Sequence, residues 1–242
     1  YTEPGSGTDL ASLRTKAVRD GDEYVVNGQK IYTSLAMAAD YVWLAARTDP
    51  EAPKHKGITI FLVPTATPGF SYTKINTMVN ASTFTTYYDD VRVPDSAVVY
   101  GVNRGWDLIV NQLNYERVSL APAGMFSRSY DKVLDYARTT KLADGRRVID
   151  QEWVRLNLAR VKAHLDVLAL LNWKVAATGG ASPADASATK VFGTEFFVQG
   201  YRLLMEVLGP VAAFDRNSPG AVLAGSLARG FQGTLILTFG GG

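Results

Sequence analysis

The chain has 242 residues, 47% of them apolar and 20% charged, with a formal net charge of +2 and no Cys. That is enough apolar side chain for a sizeable core in one large domain or two modest ones, and the scattered, nearly balanced charge argues against nucleic acid or an anionic membrane surface as a partner. No apolar run is long enough to span a bilayer, no secretory leader is visible, and the two His (His55 and His164) lie far apart, so neither a membrane span nor a metal site is expected. The absence of Cys excludes a disulfide framework and fits a reducing compartment, the cytoplasm being the expected one.

The first stretch, "YTEPGSGTD" (1–9), combines a Pro, two Gly and four hydroxyl side chains before its closing Asp. It reads as a loop laid against a ligand. Residues 10–100 read as β structure. "DGDE" (20–23) and "NGQ" (27–29) are turn signals. Short β-rich runs lie between and after them: "EYVVN", "YVWLAAR" (41–47), "GITIFLVP" (57–64) and "TFTTYYDDVRVP" (83–94). Short strands with frequent turns suggest a small barrel or sandwich, and Pro94 should end the last strand, because it lacks the N–H a ladder needs.

From residue 101 the pattern changes. Trp106–Arg138 and 148–178 carry long apolar stretches without strand alternation. "SPADASATKVF" (182–192) opens a further helix, with Ser182 at the cap and Pro183 in the first turn, running to about Leu208. Residues 218–237 are a weaker fourth segment. Four helices joined by short loops predict a bundle. The expected organisation is therefore α+β, with a β domain over 1–100 and a four-helix bundle over 101–242. The chain reads as starting inside the β domain, so a further strand or domain is expected upstream of Tyr1.

These stretches, in this order and spacing, resemble the acyl-CoA dehydrogenase family along nearly the whole chain. "TEPGSGTD" looks like its flavin loop, and "DGDEYVVNGQKIYTSLAMAADYVWLAARTD" like the segment that follows. "YYDDVRVP" resembles the strand that closes the barrel, "LNYERVSLAPAG" the first bundle helix, and "FGGG" the start of the terminal catalytic loop. The resemblance implies a middle β-barrel domain followed by the C-terminal bundle, the family's N-terminal helical domain being absent from this chain. It implies FAD as cofactor, with Thr2 bonding the flavin, Thr8 near the flavin and the thioester end of the site, and Tyr32 and Ser34 of "IYTS" against the ring. It also implies α,β-dehydrogenation of an acyl-CoA thioester, with an electron-transfer flavoprotein as acceptor.

That reaction needs a carboxylate aimed at the α-carbon and donors for the thioester carbonyl. Most relatives carry the carboxylate on the terminal loop, where this chain reads "TFGGG". The position falls on Gly240 or Gly241, with Gly241 preferred, and either way only a backbone N–H remains as carbonyl donor. A minority of the family places the base on the first bundle helix, and "LNYER" supplies Glu116 there. Ile109, Leu113 and Leu120 lie seven and three residues before Glu116 and four after it, so they share its helical face. A carboxylate on an apolar stripe is costly unless paired or functional. Arg117, adjacent in sequence, points elsewhere on the helix and matches a family position with an orienting role.

The family pattern breaks where one subunit lends residues to its neighbour's FAD. Thr140 and Ala143 stand where the family has an Arg and a Phe, and Glu206 and Pro210 where it has a Gln and a Gly. Either Arg146 or Arg147 compensates, or a different subunit donates these contacts. The second reading resembles the heterotetrameric (α2β2) actinobacterial enzymes that act on steroid side-chain CoA esters, with half as many flavins as subunits. Two alternatives stand beside it. One is a non-catalytic subunit propping up a partner's site, and the other is a flavoprotein oxidase on the same fold.

Overall fold

The structure is a computed structural model that describes residues 1–79, 81–178 and 182–240. The chain divides into two compact units, Tyr1–Gln112 and Leu113–Gly242. A β domain followed by a helical domain is thus the observed order.

The first unit is a seven-stranded sheet: β1 (Lys16–Asp20), β2 (Glu23–Ser34), β3 (Tyr41–Arg47), β4 (Ile58–Pro64), β5 (Phe70–Ile75), β6 (Thr83–Pro94) and β7 (Val98–Val99). Its spatial order is β5-β6-β2-β1-β3-β4-β7, antiparallel throughout except for β1 beside β3. The β1–β2 hairpin turns at Gly21–Asp22, where Gly21 takes the positive φ of 64° that the turn requires. Inward positions of neighbouring strands meet in one core: Tyr24 and Val26 of β2, Leu44 and Ala46 of β3, Phe61 and Val63 of β4, and Tyr88, Val91 and Val93 of β6.

Two sequence expectations are corrected here. "NGQ" is not a turn between strands but a bulge inside β2, where the register to β6 shifts between Val26 and Gly28. The Asn27 amide and Asp90 (φ 49°) exchange two hydrogen bonds of 2.9 and 3.0 Å across the shift. Gly28 has φ 149°, and a Cβ there would lie 2.7 Å from the Thr15 backbone, so the bulge admits only glycine. The second correction is β5, which has no counterpart in the sequence reading. It is an edge strand with its middle residues exposed, so it carries no apolar alternation.

Beyond the bulge, β2 presents Lys30 inward, in phase with Tyr24 and Val26. Its ammonium, 2% exposed, meets the Glu3 carboxylate, 7% exposed, at 2.8 Å. Glu3 also accepts from the backbone N–H groups of Arg14 (2.6 Å) and Thr15 (2.9 Å). Burial works to raise the Glu3 pKa, but the Lys30 charge and these three donors outweigh it and hold the carboxyl below its usual range. Burial lowers Lys30 to about 8, against the opposing pull of Glu3.

The helices are α1 (Gly105–Ser119), α2 (Ala123–Thr139), α3 (Glu152–Ala177), α4 (Pro183–Leu208) and α5 (Ser226–Thr234). The single apolar segment expected over Trp106–Arg138 is two helices. Pro122 has no N–H to continue the first. The Asn172 amide of α3 brackets the break, accepting from Ala123 N at 2.9 Å and donating to Ala121 O at 3.3 Å. The Ser182 hydroxyl caps α4 by accepting from Asp185 N at 3.1 Å, as expected. The weak segment over 218–237 contracts to α5 flanked by 3-10 turns, with positive φ at Gly220, Leu223, Ala224 and Gly225 interrupting it. The bundle core centres on Phe126 of α2, with Phe196, Phe197 and Tyr201 of α4 at 4.8–5.3 Å between ring centroids. Gly200 permits this approach, since a Cβ there would lie 2.5 Å from the Phe126 ring.

The buried pair makes two predictions. Glu3→Gln should cost about 3–5 kcal/mol in urea unfolding, because it strands the Lys30 charge, and adding Lys30→Met should recover part of that loss. The carboxyl titrates lower in the folded chain than its ordinary 4.5, so its contribution is complete above that pH and lost as pH falls through the folded value. The stability gap between wild type and Glu3→Gln should therefore close on acidification; a gap unchanged down to pH 2 would refute the ionised pair.

Candidate active site

The first nine residues form a braced loop. Glu3 and Ser6 exchange backbone hydrogen bonds of 3.0 and 3.1 Å around Pro4–Gly5, where proline supplies the preset φ of a tight turn. The Ser6 hydroxyl donates to Asp9 O at 2.7 Å. The Asp9 carboxylate accepts from the Ser12 hydroxyl at 2.6 Å and from Lys54 at 2.9 Å, which together hold it below the usual carboxylate range. Pro4, Gly5, Gly7 and Thr8 form the exposed rim, and open space lies where Cβ atoms of Gly5 and Gly7 would point. The loop can therefore carry a planar ligand against its backbone.

Thr2 is half-buried, and its carbonyl accepts from Ile31 N at 2.9 Å. That bond ties the loop to β2 one residue before Tyr32. A second register shift falls there, between Lys30 and Thr33. Tyr32 has φ 63° and Leu35 φ 59°, left-handed backbone that costs L-residues of order 1–2 kcal/mol each. Tyr32 is 62% exposed, and Leu35 and Met37 are exposed beside it in sequence. Strain that displays an aromatic ring to solvent marks a ligand surface better than a core. Ser34, the last residue of β2, and Thr8 are also exposed.

α1 carries Glu116 and Arg117. Of the expected stripe, Ile109 is fully buried, while Leu113, Glu116 and Leu120 are half-buried. The Glu116 main-chain carbonyl accepts from Leu120 N and from the Ser119 hydroxyl. Its carboxylate has no ion-pair or hydrogen-bond partner among the described residues. Arg117 instead donates to the Asn114 side chain at 2.8 Å. Gly241 lies outside the described residues. The alternative donor, the Gly240 N–H, is already committed to Ile236 O at 3.0 Å.

In the helical unit, Thr140 ends α2, its carbonyl accepting from Val148 N at 3.0 Å, and Ala143 is exposed in the following loop. Arg146 pairs with Asp144 at 2.7 Å and Arg147 with Asp150 at 2.8 Å. The Glu206 carboxylate is exposed and accepts from Asn157 at 2.9 Å. Among the described residues no cluster of His, Asp or Glu could hold a metal ion, and no helix is long and apolar enough to cross a membrane.

Sequence reasoning missed Glu3 and Lys30. The available signal was period-two alternation along "YVVNGQK", which puts Tyr24, Val26, Gly28 and Lys30 on one side and so marks Lys30 as a charge facing the core.

Family models for the acyl-CoA dehydrogenase middle domain and C-terminal domain match residues 1–91 and 103–242. The whole chain is 57% identical to the acyl-CoA dehydrogenase FadE26 of Mycobacterium tuberculosis and covers 63% of it. It superposes along its full length on a chain of the ChsE4–ChsE5 complex of M. tuberculosis, with TM-score 0.94, 56% identity and 63% of that chain covered. A chain of the Tcur3481–Tcur3483 steroid ACAD gives TM-score 0.93, 50% identity and 62% coverage. The chain thus spans somewhat less than two thirds of the length of these relatives. With matching models over both its units, it belongs to the acyl-CoA dehydrogenase family.

Proposed function

We propose that this chain is the base-carrying subunit of a heteromeric, FAD-dependent acyl-CoA dehydrogenase that introduces the α,β double bond into an acyl-CoA thioester. The observation that carries this reading is the half-buried Glu116 carboxylate, unpartnered among the described residues, in a chain whose terminal "TFGGG" has no carboxylate of its own. A paired surface Glu would be explained by its partner. An unpaired one at partial burial is a cost that a general base justifies.

In this reading Glu116 takes the α-proton. An α-C–H is a weak acid, so negative charge developing on the thioester oxygen must be met by fixed donors. Gly241 N–H is the preferred backbone donor to the carbonyl, and the bond from Gly240 N–H to Ile236 O is in keeping with that preference. Arg117, held by Asn114, orients the helix end that carries the base. Thr2, Thr8, Tyr32 and Ser34 would hold the isoalloxazine of FAD, which supplies the acceptor for the β-hydride. The braced loop and the displayed Tyr32 ring fit that planar group. The expected compartment is the cytoplasm, and the expected electron acceptor is an electron-transfer flavoprotein.

The heteromer rests on the helical unit. A cofactor pyrophosphate would meet Glu206, a negative charge, where the family has a neutral Gln. Arg146 and Arg147 are engaged by Asp144 and Asp150, although exposed pairs of this kind are worth only about 0–1 kcal/mol and bar neither from moving. Two close relatives are chains of two-component assemblies, one of them a steroid ACAD. They favour a related subunit as partner and a steroid side-chain CoA ester as substrate.

Glu116→Gln should leave the flavin bound and slow its bleaching by acyl-CoA roughly a hundred- to ten-thousand-fold in stopped flow. Bleaching at the wild-type rate would remove Glu116 from the role. Flavin absorbance tests the assembly. The full-length protein alone should retain FAD poorly, because each missing charge-assisted bond is worth about 1.5–3 kcal/mol. With its partner it should carry half as many flavins as chains. A homo-oligomer with one tightly bound FAD in every subunit would overturn the heteromer and leave the dehydrogenase intact.

A further inference from the structure

α4 is apolar on two opposite faces. One face is buried in the bundle core, with Phe197 and Leu204. The other is exposed, and it carries Ala184, Ala188 and Val191 before its first charge at Glu195. Val191 is 58% exposed. α3 repeats the pattern, since Leu156, Val167 and Leu170 are exposed on one stripe of that helix. A surface helix of a globular chain has a polar outer face, and a helix that is apolar all round belongs in an interior.

Between the two helices runs an open groove of about 490 Å³. Its floor is aromatic: the His164 ring of α3 lies nearly parallel to Phe192 and Phe196 of α4, at 6.0 and 5.6 Å. Its wall is the outward row Val191, Glu195, Val198 and Arg202. These positions fall four, three and four residues apart, the seven-residue repeat with which two helices pack along their length. Contiguous exposed apolar surface of this kind marks an interface.

The charges in the row say what covers it. Glu195 and Arg202 stand two turns apart, about 10 Å along the axis, too far to pair with each other. Neither makes an ion pair among the described residues. A second copy of α4, turned by 180° about an axis beside Val198, meets the first antiparallel. Each Glu195 then faces the Arg202 of the other copy, and the two Val198 meet at the axis. A patch that complements itself in sign and shape suits a two-fold contact between identical chains. An assembly with two copies of each of two chains has its exact two-fold axis between like chains, so such a patch has a place in it.

We infer that the α3–α4 face, centred on Val198, is the docking surface for a second copy of this chain, joined through antiparallel α4 helices with reciprocal Glu195–Arg202 pairs. The surface carries no part of the dehydrogenation and stands without that reading.

The test is the mass of the full-length protein, without the related subunit, in sedimentation equilibrium. Wild type should be a dimer. Glu195→Arg and Arg202→Glu each set like charges against one another, which should raise the dimer Kd about a hundredfold or more. Mixed one to one, the two variants should dimerise again, because each supplies the sign that the other lacks. Misfolding cannot produce that rescue. Val191→Glu, at an exposed site of the same row, carries the test if a charge reversal disturbs the fold, and it should weaken the dimer about tenfold. Wild type that stays monomeric would overturn the proposal, as would variants that dimerise like wild type or a mixture that stays apart. Association that needs the related subunit and is lost in Arg202→Glu would assign the face to that subunit and equally overturn it. Flavin bleaching by acyl-CoA is a separate readout: its failure in wild type removes the dehydrogenase reading and leaves the measured mass as it is.

Discussion

The contact between Glu3 and Lys30 fixes the loop of the first nine residues onto the β unit. The first nine residues are short of apolar side chains, so hydrophobic burial cannot hold them in place. A carboxylate can, because it accepts several directional bonds at once. Glu3 takes three, from Lys30 and from the N–H groups of Arg14 and Thr15. These tie the loop's beginning to the chain that leaves it and to the strand that runs beneath it. Buried ion pairs contribute little net stability, because desolvation offsets much of their attraction. The lowering of Lys30 to about 8 is the trace of that offset. What the pair supplies is geometry: it leaves Pro4, Gly5, Gly7 and Thr8 exposed on a backbone that cannot drift.

The same strand carries the cost of displaying Tyr32. Two register shifts interrupt β2 against β6, one at Gly28 and one before Thr33. Lys30 lies between them and points inward to reach Glu3. The second turns Tyr32 outward on left-handed backbone. Continuous pairing on both sides, from Glu23 to Val26 and at Thr33 and Ser34, holds the strained residues between regular ladder. The two devices are coupled by the bond from Ile31 N to Thr2 O, which places the loop and the aromatic residue in one rigid frame. Sheet stability here is exchanged for a shaped surface, as local rule-breaking at functional sites generally is.

Legibility in the sequence followed the range of the interactions involved. β3 and β6 matched residue for residue, because alternation and flanking turns are local. So did the start of α4, where Ser182 and Pro183 signal the cap within four residues. "NGQ" misled because Asn-Gly serves tight turns and bulges alike. Which one forms here depends on Asp90, more than sixty residues on. The break between α1 and α2 had a visible Pro122, but its bracket is Asn172, fifty residues away. The loop motif and Glu116 could be read as a pattern. The Glu3–Lys30 pair could not, because only the folded register of β2 brings the two together.

A catalytic loop that carries its own base must control side-chain torsions as well as backbone path. "FGGG" has no such side chain, so the demand reduces to the path alone, and Gly tolerates many paths at a large cost in chain entropy. A run of Gly is therefore a poor source of its own order. The turn before it is held from the core: the Thr238 carbonyl accepts from the buried Lys190 ammonium of α4. In the proposed reading, with the base on α1, the two halves of the chemistry would sit on separate supports: proton transfer on a helix, and carbonyl binding on bare backbone.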